Sequence, residues 1–161
     1  MAVGYADFFK DIRYVGVDIA PQLIDWCKSH RKNPRHDYWA DDFIVKPPRE
    51  KFDLVFSQGT IDNTHDMDAL LRAAVAASNR WVYVTAYRGF FPELREHRIT
   101  WCEEQGVFYN DLSPLQAQQT LEQCGCQNVT IFPSFTGRDN VAHETVIIGS
   151  LPHEAPLVHD R

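Results

Sequence analysis

A short run, Tyr14-Val15-Gly16-Val17-Asp18-Ile19-Ala20, followed at once by Pro21, constrains this chain more than any other stretch. Its β-branched residues and the proline boundary predict a buried strand over 13–18 that ends in a carboxylate and gives way to a helix. In sheets built from such units, ligands bind beyond the carboxyl ends of the strands. A carboxylate there can accept hydrogen bonds from two neighbouring sugar hydroxyls, each strengthened by its charge. It can equally cap the following helix, a common role for Asp. The residues alone leave both roles open.

The rest of the chain repeats the alternation. Tyr5, Phe8 and Phe9 sit at helical spacing, so residues 2–11 predict a turn or two of amphipathic helix. Pro21 opens a second helix that runs to about His30, with Leu23, Ile24 and Cys27 on one face; the basic stretch 31–35 and Pro34 end it. His36 to Phe43 and Phe52 to Ser57 read as strands. Asp62 to Asn79 is the clearest helix: Met67, Leu70, Leu71, Ala74 and Val75 hold a continuous apolar stripe, with Thr64 as the expected cap. Trp81 to Tyr87 is a further strand. Residues 88–111 interrupt the pattern with Gly89, Pro92, a charged run and several aromatics, and predict an excursion beyond the sheet. Ser113-Pro114-Leu115-Gln116 then supplies a cap, a first-turn proline and a capping-box glutamine, and Gly125 ends that helix. Val129 to Phe132 and His143 to Ile148 predict an antiparallel pair joined by a loop with Pro133, Gly137 and Asn140. The tail 151–161 is polar and expected to be loose. The fold class is α/β, a mostly parallel sheet closed by an antiparallel hairpin, in one domain spanning 1–150.

Composition narrows the function classes. The chain has 161 residues and a formal net charge of −6. A basic face for phosphate backbones is therefore not expected, which makes nucleic acid an unlikely partner while leaving a local basic site open. No apolar run reaches the ~20 residues of a membrane span. Cys27, Cys102, Cys124 and Cys126, with no secretory signal at the start, read as reduced thiols of a cytoplasmic protein. Their spacing suits no zinc site, and no metal is expected.

Taken in order, these residues resemble a class I S-adenosylmethionine-dependent methyltransferase from Gly4 to about Gly149. Val15-Gly16-Val17-Asp18-Ile19 resembles the family's second strand, whose terminal acid binds the cofactor ribose. Asp41-Asp42-Phe43 resembles the acidic motif that meets adenine, with Asp42 and Phe43 at the matching positions. Phe52-Asp53-Leu54-Val55-Phe56-Ser57-Gln58-Gly59 resembles the fourth-strand motif beside the methionine part. The resemblance thus implies S-adenosyl-L-methionine as cofactor and Gly4, Asp18, Ile19, Asp42, Phe43, Ser57 and Gln58 as its contacts. Gly4 resembles the last glycine of the family's glycine-rich loop, so a Rossmann-like sheet that is N-terminally truncated is expected. Loss of that loop weakens the expected cofactor binding. The missing central strand predicts one of three arrangements: direct pairing of 13–18 with 52–57, a homodimer or partner chain covering the gap, or a longer native product.

Methyl transfer is a direct displacement in which the protein aligns the reactants and excludes water, so no general base is demanded. By position the excursion is the substrate side; the acceptor is a small molecule or another group that the sequence does not name. His97, Tyr87, Arg88 and Tyr109 are the candidate catalytic residues; Trp101 and Asn110 are further candidates of the same region, and His65 follows the fourth-strand motif toward the cleft or simply enters the next helix. Ser57-Gln58-Gly59-Thr60 departs from the Asn/Asp-Pro-Pro-aromatic motif of the adenine-methylating branch, which argues against a nucleobase amine. The alternative is a non-catalytic remnant of the fold that serves association or binds another ligand.

Overall fold

The computed structural model describes residues 9–135 and 144–152. Backbone contacts divide the chain into two compact units, Met1–Pro48 and Arg49–Arg161. The helix expected at 2–11, Gly4 within it, most of the loop before the last strand and all of the tail beyond Pro152 fall wholly or mainly outside the described residues.

In the first unit β1 (Tyr14–Asp18) and β2 (His36–Ala40) pair in parallel, from Tyr14 opposite His36 to Asp18 opposite Ala40. The connecting helix α1 (Pro21–His30) starts on its proline, whose missing N–H costs nothing at a first helical position. Its buried residues, Ile24 and Cys27, meet Tyr38, and Tyr14 packs against the same cluster. Gly16 makes room for these rings: a Cβ there would stand 3.0 Å from Tyr38 Cδ1. Burial, helped by Tyr38 and Cys27, pushes the Tyr14 phenol up to about 12, and burial likewise raises the Cys27 thiol.

The second unit is built on a four-stranded sheet in the order β3-β4-β8-β7. β3 (Phe52–Gln58) and β4 (Ser78–Ala86) are parallel; β8 (Glu144–Ser150) runs antiparallel to both β4 and β7 (Asn128–Ser134). The expected closing hairpin is therefore present, although Pro133 lies inside β7 opposite Thr145 instead of in the loop. β7 ends the sheet, where a missing N–H is tolerated. Helices α2 (Met67–Ala76) and α3 (Pro114–Gln123) pack on each other, α2 also on β4 and α3 on β7. The stripe Met67, Leu70, Leu71, Ala74, Val75 is buried as its spacing predicts. The helix is shorter than expected, however. A 3₁₀ turn at Ile61–Asn63 precedes it, and the cap is Asp66, whose carboxylate accepts from Ala69 N–H at 2.8 Å.

The excursion forms a small hairpin, β5 (Trp101–Cys102) with β6 (Val107–Phe108), flanked by a bridge between Arg98 and Asp111. Within its own unit, β1 is paired with β2 and β3 with β4.

Candidate functional site

In the first unit the carboxyl ends of β1 and β2 form one rim. The Asp41 N–H donates to the Asp18 carbonyl at 3.2 Å, which ties the chain just past β2 to the last residue of β1. Asp18 Oδ1 accepts from Ala20 N–H at 2.9 Å and so shapes the turn into α1. The helix itself has no side-chain cap. Asp18 thus takes up part of its capping role, through one oxygen only. Ile19 beside it is 72% exposed, an open apolar surface at the strand end. Asp42 Oδ1 gathers the N–H groups of Ile44 and Val45 at 2.9 and 3.3 Å, which turns the chain sharply and leaves Phe43 half-buried at the bend. Asp41 pairs with Lys46 at 3.2 Å on the exposed side. Asp18, Ile19, Asp42 and Phe43 are therefore neighbours at this rim.

In the second unit Ser57 and Gln58 end β3 opposite Val84 and Thr85. Gly59 follows with φ 68°, and a Cβ there would meet Tyr87 Cδ1 at 3.1 Å. Both constraints favour glycine, because only glycine adopts this backbone without strain. The Tyr87 ring thus closes over the end of β3. Asp62, fully buried, holds the next turn in place: its two carboxylate oxygens accept from Tyr87 N–H at 3.0 Å and Arg88 N–H at 3.3 Å. Burial pushes the Asp62 carboxyl up to about 6 against these hydrogen bonds and the Arg88 charge.

The candidate side chains from the excursion divide into two groups. Tyr87 donates its hydroxyl to Asn63 Oδ1 at 3.2 Å, and Asn63 Nδ2 donates to the Phe108 carbonyl at 2.7 Å. Arg88 lies over the Tyr109 ring at 5.4 Å and pairs with Asp111 at 3.4 Å, while Tyr109 bonds Gln105. These three form one polar and aromatic rim. His97 does not join it. Its side chain is 4% exposed; Nδ1 accepts from Ser113 N–H at 2.9 Å and Nε2 lies 3.5 Å from Asp68 Oδ1. The enclosed His97 ring ties the excursion to the two helices. His65 is exposed, and Trp101 is 51% exposed against Phe108.

Asp62, read from the sequence as part of a helix entry, instead anchors the turn at Tyr87 and Arg88. Asn110 is among the candidates on the substrate side. Asn110 is fully buried and donates Nδ2 to the carbonyls of Thr64 and Ile61 at 2.6 and 3.4 Å. Among the described residues no group of three or more His, Cys, Asp or Glu is placed to hold a metal ion, and no helix is long and apolar enough to cross a membrane.

Residues 2–77 match the family described as methyltransferase domain. No curated protein matches the chain. Among solved structures, it is similar to an S-adenosylmethionine-dependent methyltransferase of Methanosarcina mazei at 11% identity and TM-score 0.63, with 92% of this chain and 86% of that one covered. It is similar to the 1,6-didemethyltoxoflavin-N1-methyltransferase of Burkholderia thailandensis, whose structure holds its substrate and S-adenosylhomocysteine, at 14% identity and TM-score 0.62. There 86% of this chain spans 61% of the relative. The N-methyltransferase NodS of Bradyrhizobium japonicum, solved with S-adenosyl-L-homocysteine, aligns at 13% identity and TM-score 0.57 over 88% of this chain and 67% of its own. The fold is that of S-adenosylmethionine-dependent methyltransferases.

Proposed function

We propose that this methyltransferase-like chain, its residues 2–77 matching the methyltransferase domain family, binds S-adenosyl-L-methionine and methylates a small-molecule acceptor. The observation that supports this most is the 3.2 Å backbone bond from Asp41 to Asp18, which sets the acidic ends of β1 and β2 side by side. The rim suits the adenosine part of the cofactor. Asp18 keeps one carboxylate oxygen without a partner among the described residues, available to ribose hydroxyls. Asp42 and Phe43 would receive the adenine, and exposed Ile19 would shield its face. Ser57 and Gln58 are the second unit's residues that the resemblance assigns to the methionine part.

The cofactor supplies an activated methyl group when bound. The chain's own work is to hold, orient and exclude water, which suffices for a displacement. Tyr87, Arg88 and Tyr109 would form the acceptor side, held by Asp62 and Asn63. A second reading has its own support: these side chains are already paired within the protein, as expected of a non-catalytic remnant that binds a ligand or a partner.

We also infer association and a cytoplasmic setting. Among the described residues β1 pairs with β2 alone, so one of its edges can accept a strand from a second copy or a partner chain. The four free thiols fit a reducing compartment. Light scattering that finds only monomer at every concentration removes the homodimer.

Calorimetric titration with S-adenosyl-L-methionine and S-adenosylhomocysteine tests the main reading. Binding is expected, and Asp18→Ala weakens it about tenfold or more, as for loss of a charge-assisted hydrogen bond. No heat from either compound, or an Asp18→Ala variant that binds like the parent, overturns cofactor recognition at this rim and leaves the second reading.

A further inference from the structure

β4 carries one hydroxyl that the sheet gives nothing to bond. Val82, Val84 and Ala86 are buried on the face that the helices cover: Gly149 pairs with Val82, and a Cβ there would stand 3.9 Å from Leu121 of α3. Side chains alternate along a strand, so Thr85 lies on the opposite face. Phe56 and Tyr83 mark that face, paired across β3 and β4 with their rings stacked at 5.3 Å. Gln58 and Thr85 are the next pair along it, at the carboxyl end of both strands.

Thr85 is 4% exposed, and its Oγ1 is enclosed without a hydrogen-bond partner among the described residues. The other buried threonines differ. Thr120 donates to Asp68 and Thr145 to the Gly89 carbonyl, each at 2.5 Å, and Thr64 Oγ1 meets the Asp66 backbone at 3.4 Å. An unpaired buried hydroxyl costs stability that a valine of nearly the same shape would not. Val82 and Val84 show that this strand accepts valine. Half-buried Gln58 has no side-chain partner among the described residues either. Two neighbouring polar side chains are thus left unpaired at a strand end, where sheets of this kind bind ligands.

We propose that Thr85 Oγ1, with Gln58, binds the amino-acid end of the cofactor. This contact rests on the S-adenosyl-L-methionine reading and adds a residue to those that the resemblance assigns. A hydroxyl and a carboxamide each donate and accept, so together they match a carboxylate beside an ammonium. Hydrogen bonds to such charged groups are the stronger kind. The Gln58 carboxamide turns aside without breaking a bond within the protein, which opens the enclosed hydroxyl to a ligand arriving at the strand end.

Calorimetric titration of the whole chain with S-adenosylhomocysteine, and with methylthioadenosine, which lacks the amino-acid end, tests this. Thr85→Val is expected to weaken the first about tenfold or more and to leave the second unchanged, while Thr85→Ser keeps the parent's affinity for both. Without ligand, Thr85→Val raises the urea midpoint, because it removes an unpaired hydroxyl. Equal weakening toward both compounds, or a lowered urea midpoint, overturns the proposal. A parent that binds neither compound removes the cofactor reading and this contact with it. A parent that binds S-adenosylhomocysteine while Thr85→Val binds it equally well removes the contact alone.

Discussion

Residues 49–161 set a four-stranded sheet against two helices and bury Leu71, Leu121, Val82 and Ile147 completely. Residues 9–48 have two strands, one helix and a core of Ile24, Cys27 and Tyr38 finished by half-buried Tyr14. Among the described residues the smaller unit has the smaller interior, and aromatic contacts surround it. Tyr14 stacks on Phe9 at 5.8 Å and leans on His36 and Tyr38 at 5.2 and 6.1 Å. These contacts fix the amino ends of β1 and β2 against the residues before β1. The larger unit holds its irregular excursion through the buried Asp62 and Asn110 and the half-buried Asp68. Among the described residues, the larger unit carries most of the buried apolar side chains.

The strongest way to break that contrast is to open a cavity in each core. Leu71→Ala removes a fully buried side chain and is expected to cost about 2–5 kcal/mol. Ile24→Ala, at 2% exposure in the thinner core, is expected near the lower end, about 2 kcal/mol. Hydrogen exchange read residue by residue then decides the matter. Ile24→Ala should speed exchange in β1, α1 and β2 while β4 and β8 keep their protection. If exchange accelerates equally in both units, they unfold as one and the distinction has no energetic meaning.

A sharper probe is Asp62, the carboxylate that anchors Tyr87 and Arg88. Its pKa rises on folding from 3.8 to about 6, so the folded state holds the proton more tightly than the unfolded state. The ionised carboxylate therefore lowers stability above pH 6, and that cost is relieved as pH falls from 6 toward 3.8. The size is on the order of 3 kcal/mol for a shift of this magnitude. Urea midpoints of the parent and of Asp62→Asn should converge or cross over this window, the parent gaining on the variant as the solution is acidified. A constant difference between them from pH 7 to 4 would show that Asp62 has the same affinity for protons folded and unfolded.

What sequence alone conveys differs between the units in the same sense. Strand ends are local features, so β1, its acid and Pro21 could be read directly, as could the apolar stripe of α2. The start of α2 could not be. Asp62, Thr64 and Asp66 are all competent caps, and only tertiary contacts choose among them: Asp62 is drawn to Tyr87 and Arg88, and the Thr64 carbonyl to Asn110. Asp66 is left for the helix. The capping box at Ser113 was legible by half. Ser113 Oγ does accept from Gln116 N–H at 3.2 Å, but the reciprocal bond goes elsewhere. Gln116 Oε1 accepts from His97 N–H at 2.6 Å, and Ser113 N–H turns to the His97 ring. No spacing rule connects residues 97, 113 and 68, because the chain meets itself there only after folding.

That meeting point supports the smallest and most specific prediction. His97 Nδ1 accepts from Ser113 N–H, so the neutral ring carries its proton on Nε2, toward Asp68. Asp68 also accepts from Thr120 Oγ1 and Gln116 Nε2 at 2.5 and 2.7 Å; these bonds and the His97 charge hold its carboxyl below the usual range despite burial. Burial lowers the His97 pKa from 6.5, with Asp68 and Asp66 opposing. The folded state therefore binds the proton less well than the unfolded state. The stability contributed by the neutral ring is complete above pH 6.5 and is lost as pH falls toward the depressed folded value. His97→Leu leaves Ser113 N–H without an acceptor and is expected to cost about 1–2 kcal/mol at pH 7.5. His97→Asn, which keeps an oxygen near the place of Nδ1, recovers most of that cost and removes the loss below pH 6.5, because nothing titrates at the position. Should both variants match the parent at every pH, the His97 ring carries no weight in joining the excursion to α3.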